Sequence, residues 1–372
     1  MNAPYDRRQL LALVFVFSLA PIIRLVPGRC TELAEAASWL SPLIAVPFVI
    51  LFIMYMSAFL RHRRENEGLG EMIVRAVGQT PGRAVLLFSG LYFAAYSGFI
   101  LRSGADRFVS TVYPASSPWP FVFVMLFIGL VAALGSVRAL VRSAKIFAPI
   151  LAIVLVLSCA FGLSSVERIN FLPTKEILLS DLSYSALPVF DVFAAALSYT
   201  AFIEGPCPRK PGRTRDYLPR ILLISLLIMA LNAAIVGNYG AALTLKLSHP
   251  FFTMVRDITV FRTVERLEAF VVALWVLPDF VVTSLMLLIS SRALQLAFGF
   301  KPMEAERMRD MKNGRWLIPV CAVIAAAVAC VLPTDEVKMA LFSEKIVPAA
   351  NLLLTAGVYP LCFVIGKLRK KV

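Results

Sequence analysis

Long apolar stretches recur along this 372-residue chain from near one end to near the other, and no other feature limits its fold so strongly. Ten of them can be traced, at about 9–28, 37–60, 84–105, 118–138, 145–164, 184–205, 218–243, 266–291, 316–333 and 346–366. A helix needs about 20 predominantly apolar residues to cross the hydrocarbon of a bilayer. Backbone inside lipid must satisfy its own hydrogen bonds, so apolar spans of this length are read as helices. The expected fold is therefore an all-α integral membrane protein of about ten transmembrane helices. Composition agrees: 59% of residues are hydrophobic and 16% charged, with a mean hydropathy of +0.79. Soluble chains hold about 25% charged residues. The first stretch follows Arg7 and Arg8 as a signal peptide would. It lacks a small-residue cleavage site, and so reads as the first membrane helix.

The basic residues set an orientation. With the N-terminus on the cytoplasmic side, 25 of the 37 Lys and Arg residues fall on or beside cytoplasmic connections. That bias is the positive-inside signal, and it places both termini in the cytoplasm. It also accounts for the net charge of +14. "RHRR" (61–64), "RKPGRTR" (209–215) and "KLRKK" (367–371) read as topology signals facing anionic lipid of the bilayer, so no nucleic-acid partner is expected.

Catalytic signatures are missing. The six cysteines are scattered without a CxxC pair, and the two histidines, His62 and His249, lie far apart in sequence. There is no nucleophile elbow, phosphate-binding loop or dinucleotide fingerprint. The chain is read as a non-enzyme with no cofactor and no metal site. Its organisation is a single membrane domain, 1–372, with short loops. The exceptions are 164–183, the aromatic and basic 244–265, expected as an amphipathic helix at the outer interface, and 292–315, expected to hold a short charged helix.

Ten spans divide into five and five, with repeat 1 at about 9–164 and repeat 2 at about 184–333 or 184–366. In transporters built from inverted repeats, discontinuous helices at matching positions hold the ligand near the bilayer midplane. Span 1 carries Ala20-Pro21 near its middle and Pro27-Gly28 at its outer end. Span 6 carries Pro188, Asp191, the run Ala194-Ala195-Ala196 and Ser198. Each reads either as a plain proline kink or as the break of a repeat-initiating helix.

Ionisable residues at depth are costly in a membrane and usually face the bundle interior. Asp279, preceded by the helix-bending Pro278, lies about 13 residues into span 8. It reads as a structural hydrogen-bond partner or as a proton carrier. Arg24 either snorkels to the outer headgroups or pairs with Asp191 to cap a pocket. Arg102 and Asp106 are expected at the interface closing span 3. Tyr92 and Tyr96, one turn apart, serve aromatic packing or line a pocket. Glu265, Arg266 and Glu268 read as an interfacial charge network, and Gly237–Gly240 ("GNYG") as a point of close helix approach.

The stretch "SHPFFTMVRDITVFRTVERLEAFVVALWVLPDF" (248–280) closely resembles the region around span 8 of the spore germination permease family, the B subunits of germinant receptors. Chain length, ten spans and the basic connector after span 6 extend the similarity over essentially the whole chain. The family is similar to the amino acid–polyamine–organocation transporters, which implies a five-plus-five inverted repeat with broken helices 1 and 6. The resemblance implies recognition of a small nutrient germinant, typically an amino acid. It also implies partnership with an A-type membrane subunit and a C-type lipoprotein in the spore inner membrane. An amino acid permease coupled to protons, and a ligand-gated water or ion conduit, are the alternatives. In span 1 this chain departs from the family's usual Ile-Leu-x-Leu-Pro, reading Ala20-Pro21-Ile22-Ile23-Arg24-Leu25-Val26-Pro27.

The expected ligand pocket lies between spans 1, 3, 6 and 8. Span 1 contributes Leu19, Ala20, Pro21, Ile22, Ile23 and Arg24, and span 3 contributes Tyr96. Span 6 contributes Phe193, Ala194, Ala195, Leu197 and Ser198. Span 8 contributes Trp275 and Asp279. Asp191, Pro278, Glu265 and Arg266 are expected in structural or coupling roles.

Overall fold

The structure, a computed structural model, describes residues 7–64, 67–113, 115–172, 176, 178–203, 214–257, 267–300, 315–369 and 371. The described segments are helices joined by short turns. Helix α1 (Arg7–Ala34) is followed by a 3-10 turn (Glu35–Leu40) and α2 (Ser41–Leu60). Glu35 takes a left-handed backbone, φ 44°, and breaks what would otherwise be one rod of 53 residues. Both α1 and α2 then pack on the helices of the sixth and seventh spans, so the chain has turned back on itself. The short α3 (Leu69–Val77) buries Leu69, Met72, Ile73 and Ala76, the spacing of one helix face. Gly78, at φ 109°, makes the elbow into α4 (Gln79–Val112).

Helix α5 (Trp119–Leu134) leads to α6 (Val137–Ser164), whose N-cap Ser136 accepts a bond from the Ala139 N–H at 3.1 Å. The sixth span is α7 (Leu179–Ser185) and α8 (Leu187–Ala201). Next come α9 (Thr214–Thr244), kinked where Gly240 has φ 67°, the short α10 (Pro250–Asp257) and α11 (Leu267–Ala297). Helix α12 (Leu317–Val331) precedes a last span built in five pieces. These are α13 (Glu336–Leu341), a π-helical turn (Phe342–Ile346), α14 (Val347–Leu352), a second π turn (Leu353–Val358) and α15 (Tyr359–Leu368).

The described parts of the ten expected spans are helical almost throughout. By length and composition, seven helical segments among the described residues can cross a membrane, the first of them comprising α1 and α2. Helices α5 and α12 are apolar but hold 16 and 15 residues. The outward faces of α5 (Phe123, Phe127, Val131) and α6 (Ile146, Ile153, Val156) are exposed and apolar, which suits contact with hydrocarbon.

The core forms where α4 and α11 run against each other, with α1 packed on α6, α8 and α11. Glycine permits the closest approaches. A Cβ at Gly98 would collide with the Ala325 carbonyl of α12, and one at Gly104 would stand 2.9 Å from Asp279 Oδ2.

Several expectations change. The backbone of α1 is helical through both Pro21 and Pro27, so Ala20-Pro21 is not an unwound break. Each proline removes one ladder bond, but the surrounding helices bury this segment and hold it helical. In the sixth span the interruption falls at Ala186, ahead of Pro188, and α8 runs through Asp191–Ser198 without a break. Pro278 likewise leaves α11 continuous. Helix α4 continues past Asp106 to Val112, so Arg102 is not an interfacial terminus: it is 3% exposed, ion-paired to Asp106 and stacked over Trp119. Within 244–265, α10 turns Phe251, Phe252, Met254 and Val255 into the protein rather than toward lipid. Gly237 does meet a close neighbour, Val166. Glu265, Arg266 and the expected helix within 301–314 lie outside the described residues.

Candidate functional site

A cavity of about 620 Å³ opens at one end of the bundle, between α1, α4, the 245–249 turn and the start of the last span. Its wall mixes apolar and polar side chains of both charges, with Arg24, Lys246 and His249 beside Asp106 and Glu344. His249 lies just outside the membrane-spanning helices. Burial, with smaller contributions from Arg107 and Arg24, holds its imidazole down to about 4, so the ring is neutral at neutral pH.

Arg24 links this vestibule to a buried polar cluster. Its guanidinium lies 4.5 Å from the Phe99 ring centre, a cation–π contact, and Nε has no hydrogen-bond partner among the described residues. One turn nearer the start of α4, the Tyr96 hydroxyl sits between Arg24 and Asn351. Tyr92 and Tyr96 stack with ring centres 6.0 Å apart, so packing and lining are combined in one pair.

Asn351, on α14, is the hub of the cluster. Its Oδ1 accepts from the hydroxyls of Tyr92 on α4 and Tyr199 on α8, each at 2.6 Å. These two donors fix the orientation of the amide, since only its oxygen can accept. The Nδ2 group is thereby turned to Asp191 Oδ2, at a long 3.4 Å. Asp191 is 2% exposed, and its Oδ1 has no hydrogen-bond partner among the described residues. A buried polar atom left in this condition carries the cost of its desolvation. The cluster thus presents an under-satisfied carboxylate facing a guanidinium, framed by phenols.

Arg24 and Asp191 do not form the expected ion pair. They lie within electrostatic range of each other, but no contact of 4 Å or less joins them among the described residues. Tyr96 and Asn351 occupy the polar contacts between them. Asp279 is paired elsewhere: Arg107, also on α4, donates to its Oδ2 in a buried ion pair. A proton-carrier role would require that pair to open.

The remaining expected pocket residues divide by location. Leu19, Ala20, Pro21, Ile22 and Ile23 are buried in α1, and of the 19–24 segment only Arg24 reaches the cavity. Phe193, Ala194 and Ala195 are buried in α8, while Leu197 is half-buried. Ser198 Oγ and Trp275 Nε1 are buried without hydrogen-bond partners among the described residues, Trp275 packing on Phe251 and Phe252. Asn351, Tyr199 and Arg107 were not singled out by the sequence reading. Asn351 leaves a signal, a lone amide in the apolar run "VPAANLLLTAGV". Tyr199 and Arg107 leave none that separates them from packing and interfacial residues.

The fold is shared with solved transporters. The complex of MhsT with L-phenylalanine superposes with a TM-score of 0.64 at 14% identity, covering 99% of this chain and 89% of that one. A Na+-coupled sialic acid symporter in a substrate-bound outward-open state gives 0.61 at 11% identity, covering 96% and 78%. Mhp1, a nucleobase-cation-symport-1 family transporter closed on bromovinylhydantoin, gives 0.59 at 13%, covering 98% and 77%. No curated protein matches the sequence. A profile of spore germination proteins matches residues 6–336, nearly the whole chain. The apolar spans, the transporter fold and this match together establish that the chain belongs to the spore germination protein (spore permease) family.

Proposed function

We propose that this chain is the ligand-binding membrane subunit of a spore germinant receptor, and that its ligand is an amino acid. The carrying observation is the pair of opposed, unjoined charges, Arg24 on the wall of the vestibule and Asp191 buried in the polar cluster behind it. An α-amino acid carries a carboxylate and an ammonium a few ångströms apart. Arg24 offers donors to the first and the Asp191 carboxylate an acceptor to the second. Tyr96 and Ser198 supply neutral polar contacts, and the small side chains of Ala194 and Ala195 lie on the same helix as Asp191. In this reading the vestibule opens on the outer side of the membrane and both termini lie in the cytoplasm, an orientation supported by the charge bias of the loops. An A-type membrane subunit and a C-type lipoprotein of the spore inner membrane complete the receptor and carry the signal onward.

Binding of radiolabelled amino acids to the purified chain in proteoliposomes tests this reading. A charge-assisted hydrogen bond is worth about 1.5–3 kcal/mol, so Arg24→Gln and Asp191→Asn should each weaken binding by about 10- to 150-fold. Binding unchanged in both variants would refute the site. Similarity to transporters favours a second reading, in which the same site alternates access. Concentrative uptake by this chain alone would establish that reading over the receptor.

A further inference from the structure

The last membrane span is unlike the others. Two π-helical turns, Phe342–Ile346 and Leu353–Val358, bracket a single six-residue helical piece, α14. A π turn holds one residue more than an α turn and bonds i to i+5, and such insertions are frequent at functional sites. The extra residue can be passed along the helix as bonds exchange, so each π turn is a compliant joint. The piece between the joints carries Asn351, whose side chain ties this span to the polar cluster, with a longer bond from the Tyr92 hydroxyl to the Val347 carbonyl, 3.4 Å, beside it.

The tie has a strong side and a weak side. Two short bonds from Tyr92 and Tyr199 end on Oδ1, whereas the Nδ2 bond to Asp191 is stretched to 3.4 Å. Asp191 gains no other side-chain donor among the described residues, and its second oxygen is bare. Below α14 the Thr355 hydroxyl returns to the Asn351 carbonyl at 2.8 Å, and Tyr359 reaches Ser89 at 3.3 Å. Helix α15 then packs on α3, and Arg369 donates to the Val77 carbonyl at the end of α3. A displacement of α14 therefore has a packed route to the face opposite the vestibule.

We propose that Asn351 is a ligand-responsive positioning residue, a latch that fastens α14 to Asp191 until a ligand ammonium takes its place. An ammonium is the stronger donor to a carboxylate, so its arrival removes the need for the stretched amide bond and frees α14 to move on its two π joints. This inference rests on the amino acid reading of the site and adds the moving part that reports occupancy. A competitor for Asp191 has a signed consequence. Removing it raises ligand affinity, whereas a residue that merely shaped the pocket would lower affinity when lost.

Hydrogen exchange of the 342–358 amides in the full chain in proteoliposomes tests the latch, with a pool of the proteinogenic L-amino acids as probe. Without the pool, Asn351→Ala should speed exchange of this segment at least about fivefold, because two tyrosine bonds are lost, and leave α11 unchanged. Adding the pool to wild-type protein should speed the same segment, and the variant should bind the pool at least as tightly as wild type. Asn351→Gln keeps the amide and guards against a variant that merely misfolds: it should remain responsive to the pool. Pool binding without a change in 342–358, or weaker binding by a folded Asn351→Ala, would overturn the latch. Absence of pool binding by the wild type would overturn the amino acid reading, whereas unchanged ligand-free exchange in Asn351→Ala would overturn the tie of α14 through Asn351 on which the latch depends.

Discussion

The Arg107–Asp279 pair allows a quantitative test of what holds α4 to α11. Both residues are almost wholly buried, 4% and 6% exposed, and Gly104 lets the carboxylate come up against α4. Removing one partner of a buried pair leaves an uncompensated charge, at a cost of about 3–5 kcal/mol. Asp279→Leu leaves Arg107 its cation–π contact with the Phe252 ring, 5.5 Å from its centroid, which returns no more than about 2 kcal/mol. Arg107→Met strands Asp279 in the field of Arg24, which is not bonded to it. Each single variant should therefore lose about 3 kcal/mol or more. The double variant replaces both charges with apolar groups of similar bulk, and such replacements are often neutral or stabilising. Its total loss should be smaller than either single loss, giving a coupling energy of about 3 kcal/mol or more. Equilibrium unfolding of the four proteins in mixed micelles supplies the cycle. Additive losses, or single losses below about 1 kcal/mol, would refute the pair as the lock between these helices. A double variant that unfolds as readily as the singles would show that apolar packing cannot replace it.

Two further outcomes follow from the same coordinates. Gly98→Leu drives a side chain into the Ala325 carbonyl, where backbone cannot yield cheaply. It should destabilise the α4–α12 contact by about 1–3 kcal/mol or more, read as a lower unfolding midpoint. His249 has an ordinary value near 6.5 and is held at about 4 in the folded chain. The unfolded chain then binds the additional proton, so stability is flat above pH 6.5 and falls as pH drops from 6.5 toward 4. His249→Gln should remove that part of the acid sensitivity, and an identical pH–stability curve in the variant would show that the ring is not buried as described.

Apolar run length was enough to locate the spans, because lipid allows few solutions for an isolated apolar segment. The described parts of the ten stretches are helical almost throughout, with the last divided by π turns that its sequence does not announce. Proline was the weaker guide. Pro21, Pro27 and Pro278 all lie within continuous helices, because a single lost bond does not unwind a segment packed on several sides. The reversal at Glu35 falls in the gap between the first two apolar stretches, whereas the elbow at Gly78 was unmarked, since it depends on where neighbouring helices force the chain to turn.

The candidate site was half visible. Arg24, Tyr96, Asp191 and Asp279 stand out because polar groups are expensive among apolar neighbours, and that cost is local to the sequence. Which groups meet is not local. Asp191 and Asn351 are separated by 160 residues, and Arg107 and Asp279 by 172. The sequence alone could propose Arg24 opposite Asp191 from their similar depths, but it could not place Tyr96 and Asn351 between them. Depth in a membrane is readable from position along a span, whereas the rotation of each helix about its axis is set by packing against its neighbours. The sequence by itself therefore determined a helical membrane protein with buried charges. Only the tertiary structure decided that Arg107 claims Asp279, leaving Arg24 and Asp191 unjoined across the candidate ligand site.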